Sequence, residues 1–375
     1  MTTRLEKILA CINVSTEIGL EVGALVNPIV TPDMGQVRYI DHATTDELKA
    51  KYANDPNVDV QKIVHVDYVW GQEGLPELVG EAAPFDYLVA SHVVEHVPDF
   101  IGWLKEIHAV LKVGGILSLV IPDKRCCFDY HRPLTQVSEV VEAFLNHFRK
   151  PSPRQVFDYI SSAVMYQDRI AWDCQTVIEP QNFKPIHSQQ EAWQFAQRSL
   201  LADQYVDAHC WVFTPQSFFA LLESLIHLEL FDFKVEKFYE TTGCEFYVSL
   251  KALDVNHTMN GGDPCGNGKA DRQALQLASL PLHLSNFTPA IELAPLLVPP
   301  AETAPAPPAE TTVFSQKILQ LQRKKDRQAG RIQRLTLRLA ETRKELEDIQ
   351  NSKSWKITAP LRWIQNQTVG ILSKK

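Results

Sequence analysis

The sequence predicts an α/β fold organised on a parallel sheet, and three observations within residues 85 to 123 carry that prediction. Phe85 to Ala90 is a short apolar run after Pro84, the pattern of a strand buried on both faces. Gly114-Gly115 followed by ILSLVIPD reads as a second such strand. Between them Phe100, Leu104, Ile107, His108 and Leu111 recur at helical spacing, with Lys105, Glu106 and Lys112 on the opposite side. Two strands joined by a crossover helix are most simply parallel neighbours, and in an open sheet of that kind a ligand binds outside the carboxyl ends of the strands. Those ends carry Ser91, His92, Glu95 and His96 after the first strand and Asp123 after the second.

The flanking segments extend this unit in order. Residues 15 to 24, STEIGLEVGA, read as a first strand ending in a tight turn, and Gln36 to Ile40 followed by Asp41 read as a second. Glu21 and Asp41 are twenty residues apart, the spacing at which a βαβ nucleotide-binding unit places its ribose-binding carboxylate. The alternative for Asp41 is a helix N-cap or loop residue. Ile63 to Val66 reads as a third strand with Asp67 after it, in a position where Asp is also an ordinary turn former. Residues 124 to 208 interrupt the pattern with helical stretches near 135 to 148 and 154 to 170. Their opening, KRCCFDYHRP, places Lys124, Arg125, Asp129, His131 and Arg132 directly after Asp123, as a lid over a cleft or as a solvated surface loop. The core resumes at His209 to Phe213, and Thr214-Pro215 reads as an N-cap with proline at the first helical position. FKVEKFYE and CEFYVSLKAL then alternate as a hairpin about Thr242-Gly243.

The pattern FDYLVASHVVEHV, a helix, then LKVGGILSLVIPD resembles the fourth-strand to fifth-strand region of class I S-adenosylmethionine-dependent methyltransferases, and the resemblance covers roughly residues 15 to 123 and 209 to 253. It implies a Rossmann-like sheet with a helical insertion and S-adenosylmethionine as cofactor. Glu21, Gly23 and Ala24 fall on the first motif, Asp41 on the ribose-binding acid and Asp67 on the acid that contacts the adenine amine. Ser91 and His92 fall beside the methionine part and the sulfonium. The first motif departs from the family, because the usual GxGxG loop is here Gly23-Ala24-Leu25-Val26-Asn27-Pro28, with one glycine. Close backbone approach to a ligand favours an absent Cβ, so this loop is expected to take another path, fixed by Pro28. For catalysis, His131 and Asp123 are the candidates to deprotonate an acceptor hydroxyl, with His96 next.

Composition sets the remaining bounds. The 375 residues have the apolar and charged fractions of a globular chain. Neither a signal-peptide h-region nor a membrane-length apolar run occurs, so a cytoplasmic protein is expected. Seven cysteines without a CxxC pair predict reduced thiols, with no structural zinc and no metal. From Ser315 to Lys375 there are 15 Lys and Arg against 5 Asp and Glu, so the net charge of −8 divides into −18 for residues 1 to 314 and +10 for the remainder. The body would repel nucleic acid, while the tail suits an acidic surface such as a phospholipid leaflet.

The expected organisation is a methyltransferase domain at 1–253, with its insertion at 124–208, and a Pro-rich disordered linker at 254–312. A coiled coil at 313–351 and a basic amphipathic tail at 352–375 follow. The coil rests on the a/d register that begins Ile318, Leu321, Lys325 and Gln328; the alternative is a solitary basic helix. SWKITAPLR resembles a segment that ends coiled coils appended to bacterial glycosyltransferases and other enzymes of surface-polysaccharide assembly. That likeness implies a glycan acceptor, self-association or a glycosyltransferase-type partner, and peripheral contact with the inner membrane. Two rival readings stand beside it. A nucleotide-sugar dehydrogenase or epimerase would want GxGxxG and a helical Tyr-x-x-x-Lys, but Tyr247 and Lys251 fall in an alternating strand. A non-catalytic assembly protein would keep the coil and lose cofactor binding.

Overall fold

The two apolar runs and the helix between them form as their patterning requires. In the computed structural model, which describes residues 2–56, 58–71, 73–201, 205–255 and 267–281, the runs become β4 (Phe85–Ser91) and β5 (Leu111–Pro122). They pair in parallel, with Tyr87 opposite Ile116 and Ser91 opposite Val120. The crossover helix α4 (Phe100–Val110) starts where the Asp99 side chain accepts the Gly102 N–H, and it buries Phe100, Ile101, Leu104 and Ile107 in the main core. Tyr87, Leu88, Val89 and Ala90 are all buried, because both faces of the sheet are covered.

Five more strands complete one sheet: β1 (Ile18–Val22), β2 (Gln36–Asp41), β3 (Tyr68–Val69), β8 (Phe233–Thr242) and β9 (Glu245–Ala252). The order is β3-β2-β1-β4-β5-β9-β8, with the first five parallel and the final hairpin antiparallel. The strand order reverses direction at β1 and β4, which makes their carboxyl ends the crevice of the sheet. Helix α1 (Arg4–Ile8) leads in, α2 (Thr45–Tyr52) follows β2, and α3 (Leu75–Val79) precedes β4. Thr44, not Asp41, caps α2. The expected third strand is displaced: Ile63 to Val66 is irregular, and β3 begins at Tyr68. Ile63 and Val66 pack against Leu48 of α2, so their apolar character serves a side cluster instead of the sheet.

The insertion divides into two parts. Helix α5 (Val137–Leu145) contacts α4 and α8 (Pro215–His227), and its Val140 and Ala143 belong to the main core. The rest comprises α6 (Pro153–Ser162), a small hairpin of β6 (Val164–Tyr166) and β7 (Phe183–Pro185), and α7 (Gln189–Ser199). The helix expected to run to 170 therefore stops at Ser162, before a run that pairs across the hairpin. Val156 and Ile160 of α6 cluster with Ala192 of α7 and Ala208.

The domain also extends further than residue 253. Helix α9 (Asn267–Ala278) lies inside the stretch expected to be disordered and packs on α8 and β8. Gln276 Nε2 donates to the Phe231 carbonyl at 2.7 Å and the Phe233 carbonyl at 2.9 Å, and Leu280 is buried beyond it. Prolines at 281 and beyond do not prevent a helix that ends before them. The remainder of the linker, the coiled coil at 313–351 and the tail at 352–375 lie outside the described residues. Among the described residues no helix is long and apolar enough to cross a membrane.

Candidate functional site

At the carboxyl end of β1 the chain turns through Gly23, whose φ is +71°. A Cβ there would stand 3.2 Å from Val93 Cγ2, so glycine meets both the backbone sign and the space. The following loop is held from beneath. Glu21 is buried, and its two carboxylate oxygens accept the N–H groups of Ile29 at 2.6 Å and Val30 at 2.9 Å. Burial pushes the Glu21 carboxyl up to about 7, against the lowering effect of those two bonds. Tyr39 adds an O–H bond to the Val30 carbonyl at 2.7 Å. A side chain thus fixes the path that a glycine-rich turn fixes elsewhere, and Ala24 is buried within it.

Asp41 ends β2 beside this turn. Its Oδ1 accepts the His42 N–H at 2.7 Å and pairs with His42 Nδ1 at 2.6 Å, and among the described residues no donor reaches Oδ2. Asp67 is placed differently from the expectation. It precedes β3 instead of following a strand, and its carboxylate accepts the Tyr39 N–H at 2.8 Å. It therefore pins the flank of β2, whereas the carboxyl end of β3 leads into Trp70, whose N–H bonds the Asp41 carbonyl at 2.8 Å.

At the end of β4, Ser91 Oγ accepts Arg4 Nη2 at 2.9 Å. His92 takes φ +55°, pairs with Glu245 at 2.7 Å through Nε2, and has Nδ1 3.5 Å from Glu95. Burial opposes its charge, but the bond to Glu245 and the nearby Glu95 carboxylate raise His92 to about 9. Burial would likewise raise Glu245, yet His92, Arg4 and Tyr247 hold it at about 2. His92 is thus committed to tying the end of β4 to the closing hairpin.

Beyond β4, Glu95 and His96 meet His209, from the segment before α8. The His96 and His209 rings lie edge to face with centroids 4.5 Å apart. His96 Nδ1 pairs with Asp207 at 2.9 Å and His209 Nδ1 with Asp129 at 2.5 Å. Asp129 is buried; burial alone would raise it, but His209 and Arg132 hold it at about 2. Arg132, itself buried, bonds Asp129 through Nη1 and Asp158 through Nε and Nη2. Tyr159 stacks on His209 at 5.6 Å.

The structure gathers Glu21, Gly23, Ala24 and Asp41 at the ends of β1 and β2, and Ser91, His92 and His96 at and after the end of β4. Two catalytic candidates are differently engaged. Asp123 is fully buried, with Oδ1 accepting Arg125 N and Nε at 3.0 Å and Oδ2 accepting Arg125 Nη2 at 2.5 Å and Thr241 Oγ1 at 2.7 Å. With both oxygens occupied it is a structural anchor. His131 is exposed and packs against Phe183 at 4.8 Å and Tyr130 at 5.4 Å. Sequence reasoning did not single out His209, Asp129 or Asp207 as a unit; the one signal was a histidine opening the apolar run HCWVF.

A family model described as a methyltransferase domain matches residues 38–225. No curated protein matches the chain in sequence. Similar solved structures include the CurJ carbon methyltransferase, at 12% identity over 65% of this chain and 51% of that one with a TM-score of 0.30. A methyltransferase from Methanosarcina mazei is 14% identical over 66% of this chain and 96% of that one, TM-score 0.32. The CcbJ methyltransferase from Streptomyces caelestis is 9% identical over 67% and 89%, TM-score 0.33.

Proposed function

This chain belongs to the methyltransferase domain family, and from that premise we propose that it methylates a sugar hydroxyl of a bacterial cell-surface glycan or its lipid-linked precursor. Its cofactor is S-adenosylmethionine. The residues at the crevice fit that group: Asp41 keeps Oδ2 open for ribose hydroxyls, and Gly23 presents bare backbone where a Cβ would crowd Val93. Glu21 would act on the cofactor indirectly, by holding the loop.

The observation that carries a hydroxyl acceptor is the buried His209–Asp129 pair. When bound, S-adenosylmethionine supplies a methyl group on a positively charged sulfur, which leaves the protein to orient the reactants and remove a proton. His209 donates its Nδ1–H to Asp129, which leaves the Nε2 lone pair to take the acceptor's proton. Asp129 then stabilises the imidazolium, and Arg132 keeps Asp129 oriented by holding Oδ1. His96, paired with Asp207, is arranged in the same way and is the second candidate. Asp123 and His131 are less suited, one saturated by Arg125 and Thr241, the other exposed against Phe183.

The sugar and its cellular context rest on the SWKITAPLR resemblance. In this reading the coil pairs with itself or a glycosyltransferase-type partner, and the basic tail holds a cytoplasmic enzyme near the inner leaflet. The test is incubation of the full chain with methyl-labelled cofactor and a panel of nucleotide sugars, lipid-linked saccharides, amines and carboxylates, read by product mass. Label on a saccharide oxygen is expected; turnover confined to amines or carboxylates would sink the proposal.

A further inference from the structure

We propose that Glu95, His96 and His209 form a binding site for a divalent transition-metal ion of the Zn2+ kind. One ligand atom from each of the three lies within 4.8 Å of the others. Glu95 supplies an independent reason: it is fully buried and, among the described residues, neither oxygen has a hydrogen-bond partner and the nearest cationic group is His92 Nδ1 at 3.5 Å. His92 offsets part of the charge from 3.5 Å, but a buried carboxylate with both acceptors unbonded is costly, and a directly coordinated cation repays that cost.

The imidazoles are prepared for the same role. His96 donates Nδ1–H to Asp207 at 2.9 Å and His209 donates Nδ1–H to Asp129 at 2.5 Å, so each ring keeps Nε2 as its free lone pair. Carboxylates that orient ligating histidines in this manner fix the tautomer and raise the basicity of the coordinating nitrogen. Asp129 is in turn fixed by Arg132. The two parts of the site are also clamped together, because the N–H groups of Cys210 and Trp211 both donate to the Glu95 carbonyl, at 2.6 and 3.1 Å. His96 has a side chain 31% exposed, which gives an ion a way in.

Two histidines and one carboxylate are the donor set of catalytic zinc, which keeps a further position for water or an oxygen ligand. Mixed nitrogen and oxygen donors favour Zn2+, Co2+ or Mn2+ over Mg2+, which prefers oxygen alone. The inference goes beyond methyl transfer and stands whichever acceptor is used. An ion held by the imidazoles would occupy the lone pair by which His209 takes a proton, so metal loading and proton abstraction by His209 are alternative states of the same cluster.

The test uses the full-length chain, stripped with chelator, then titrated calorimetrically with ZnCl2, CoCl2, MnCl2 or MgCl2. One equivalent of Zn2+ or Co2+ should bind, with a rise in melting temperature and little response to MgCl2. His96→Gln should abolish this binding, and Asp207→Asn, at a side chain 57% exposed, should weaken it about 10-fold or more while circular dichroism stays native. Glu95→Gln should abolish it too, and the exposed Asp207 variant keeps the test decisive if that buried change fails to fold. Absence of transition-metal binding by folded wild type, or unchanged binding in folded His96→Gln, would overturn the site, the latter by assigning the ion to thiols. S-adenosylmethionine titration of the same samples separates that failure from loss of the methyltransferase reading.

Discussion

His209 Nδ1 lies 2.5 Å from Asp129 Oδ2, and this bond joins the segment that returns to the sheet with the first turn of the insertion. The two residues are eighty positions apart in sequence. Their pairing ties the buried part of the insertion's opening to the segment before α8, and Asp129 is held from its other side by the buried Arg132.

Asp129→Asn should leave S-adenosylmethionine binding intact while lowering methyl transfer by about 100-fold or more, the range for a misplaced general base. An amide can donate to His209 Nδ1, which moves the proton to Nε2 and removes the lone pair that accepts from the acceptor. Initial rates on the identified acceptor, beside calorimetric cofactor affinity, check this. Undiminished turnover would move the base elsewhere, first to His96.

Asp41→Ala should weaken S-adenosylmethionine binding by roughly 1.5 to 3 kcal/mol, the range for hydrogen bonds to a charged group. Among the described residues only Oδ1 is engaged, by His42, so the fold should survive the change. Calorimetry on the folded variant reads the effect directly, and equal affinity would remove the ribose assignment.

Glu21 should make the folded protein less stable as pH rises from about 4.5 to about 7. The sign follows from proton uptake: over that window the unfolded chain has an ionised Glu21 while the folded chain keeps the proton, so raising pH favours unfolding. The full difference corresponds to about 3 kcal/mol. Urea unfolding of wild type and Glu21→Gln across the window should give a shallower decline in the variant. Parallel pH profiles would mean that the loop amides hold Glu21 ionised throughout.

A chain ended at residue 281 should be more stable than one ended at 253. The shorter chain loses α9, leaving the Phe231 and Phe233 carbonyls without Gln276 and uncovering the site of Leu280. Gln276→Ala in the longer chain should cost about 1 to 3 kcal/mol for the same carbonyls. Chemical denaturation of the three proteins checks this, and equal midpoints would make α9 dispensable.

The sequence by itself determined the central unit of β4, α4 and β5, the Thr214 cap of α8 and the closing hairpin, because apolar periodicity and turn chemistry are local properties. It also marked Glu21, Gly23 and Asp41, whose places follow from strand ends at a fixed spacing. Local reading failed where partners are distant. Ile63 and Val66 have a strand's composition but pack beneath α2, and α9 is a weakly apolar helix ordered by its contacts with α8 and β8. Only the tertiary structure decided which polar groups form the site. Asp123 and His131 looked available until Arg125, Thr241 and Phe183 were seen against them. His209, Asp129 and Glu95 became a cluster because the insertion folds back over the end of β4, and a juxtaposition made by long-range packing leaves no spacing for a sequence to display.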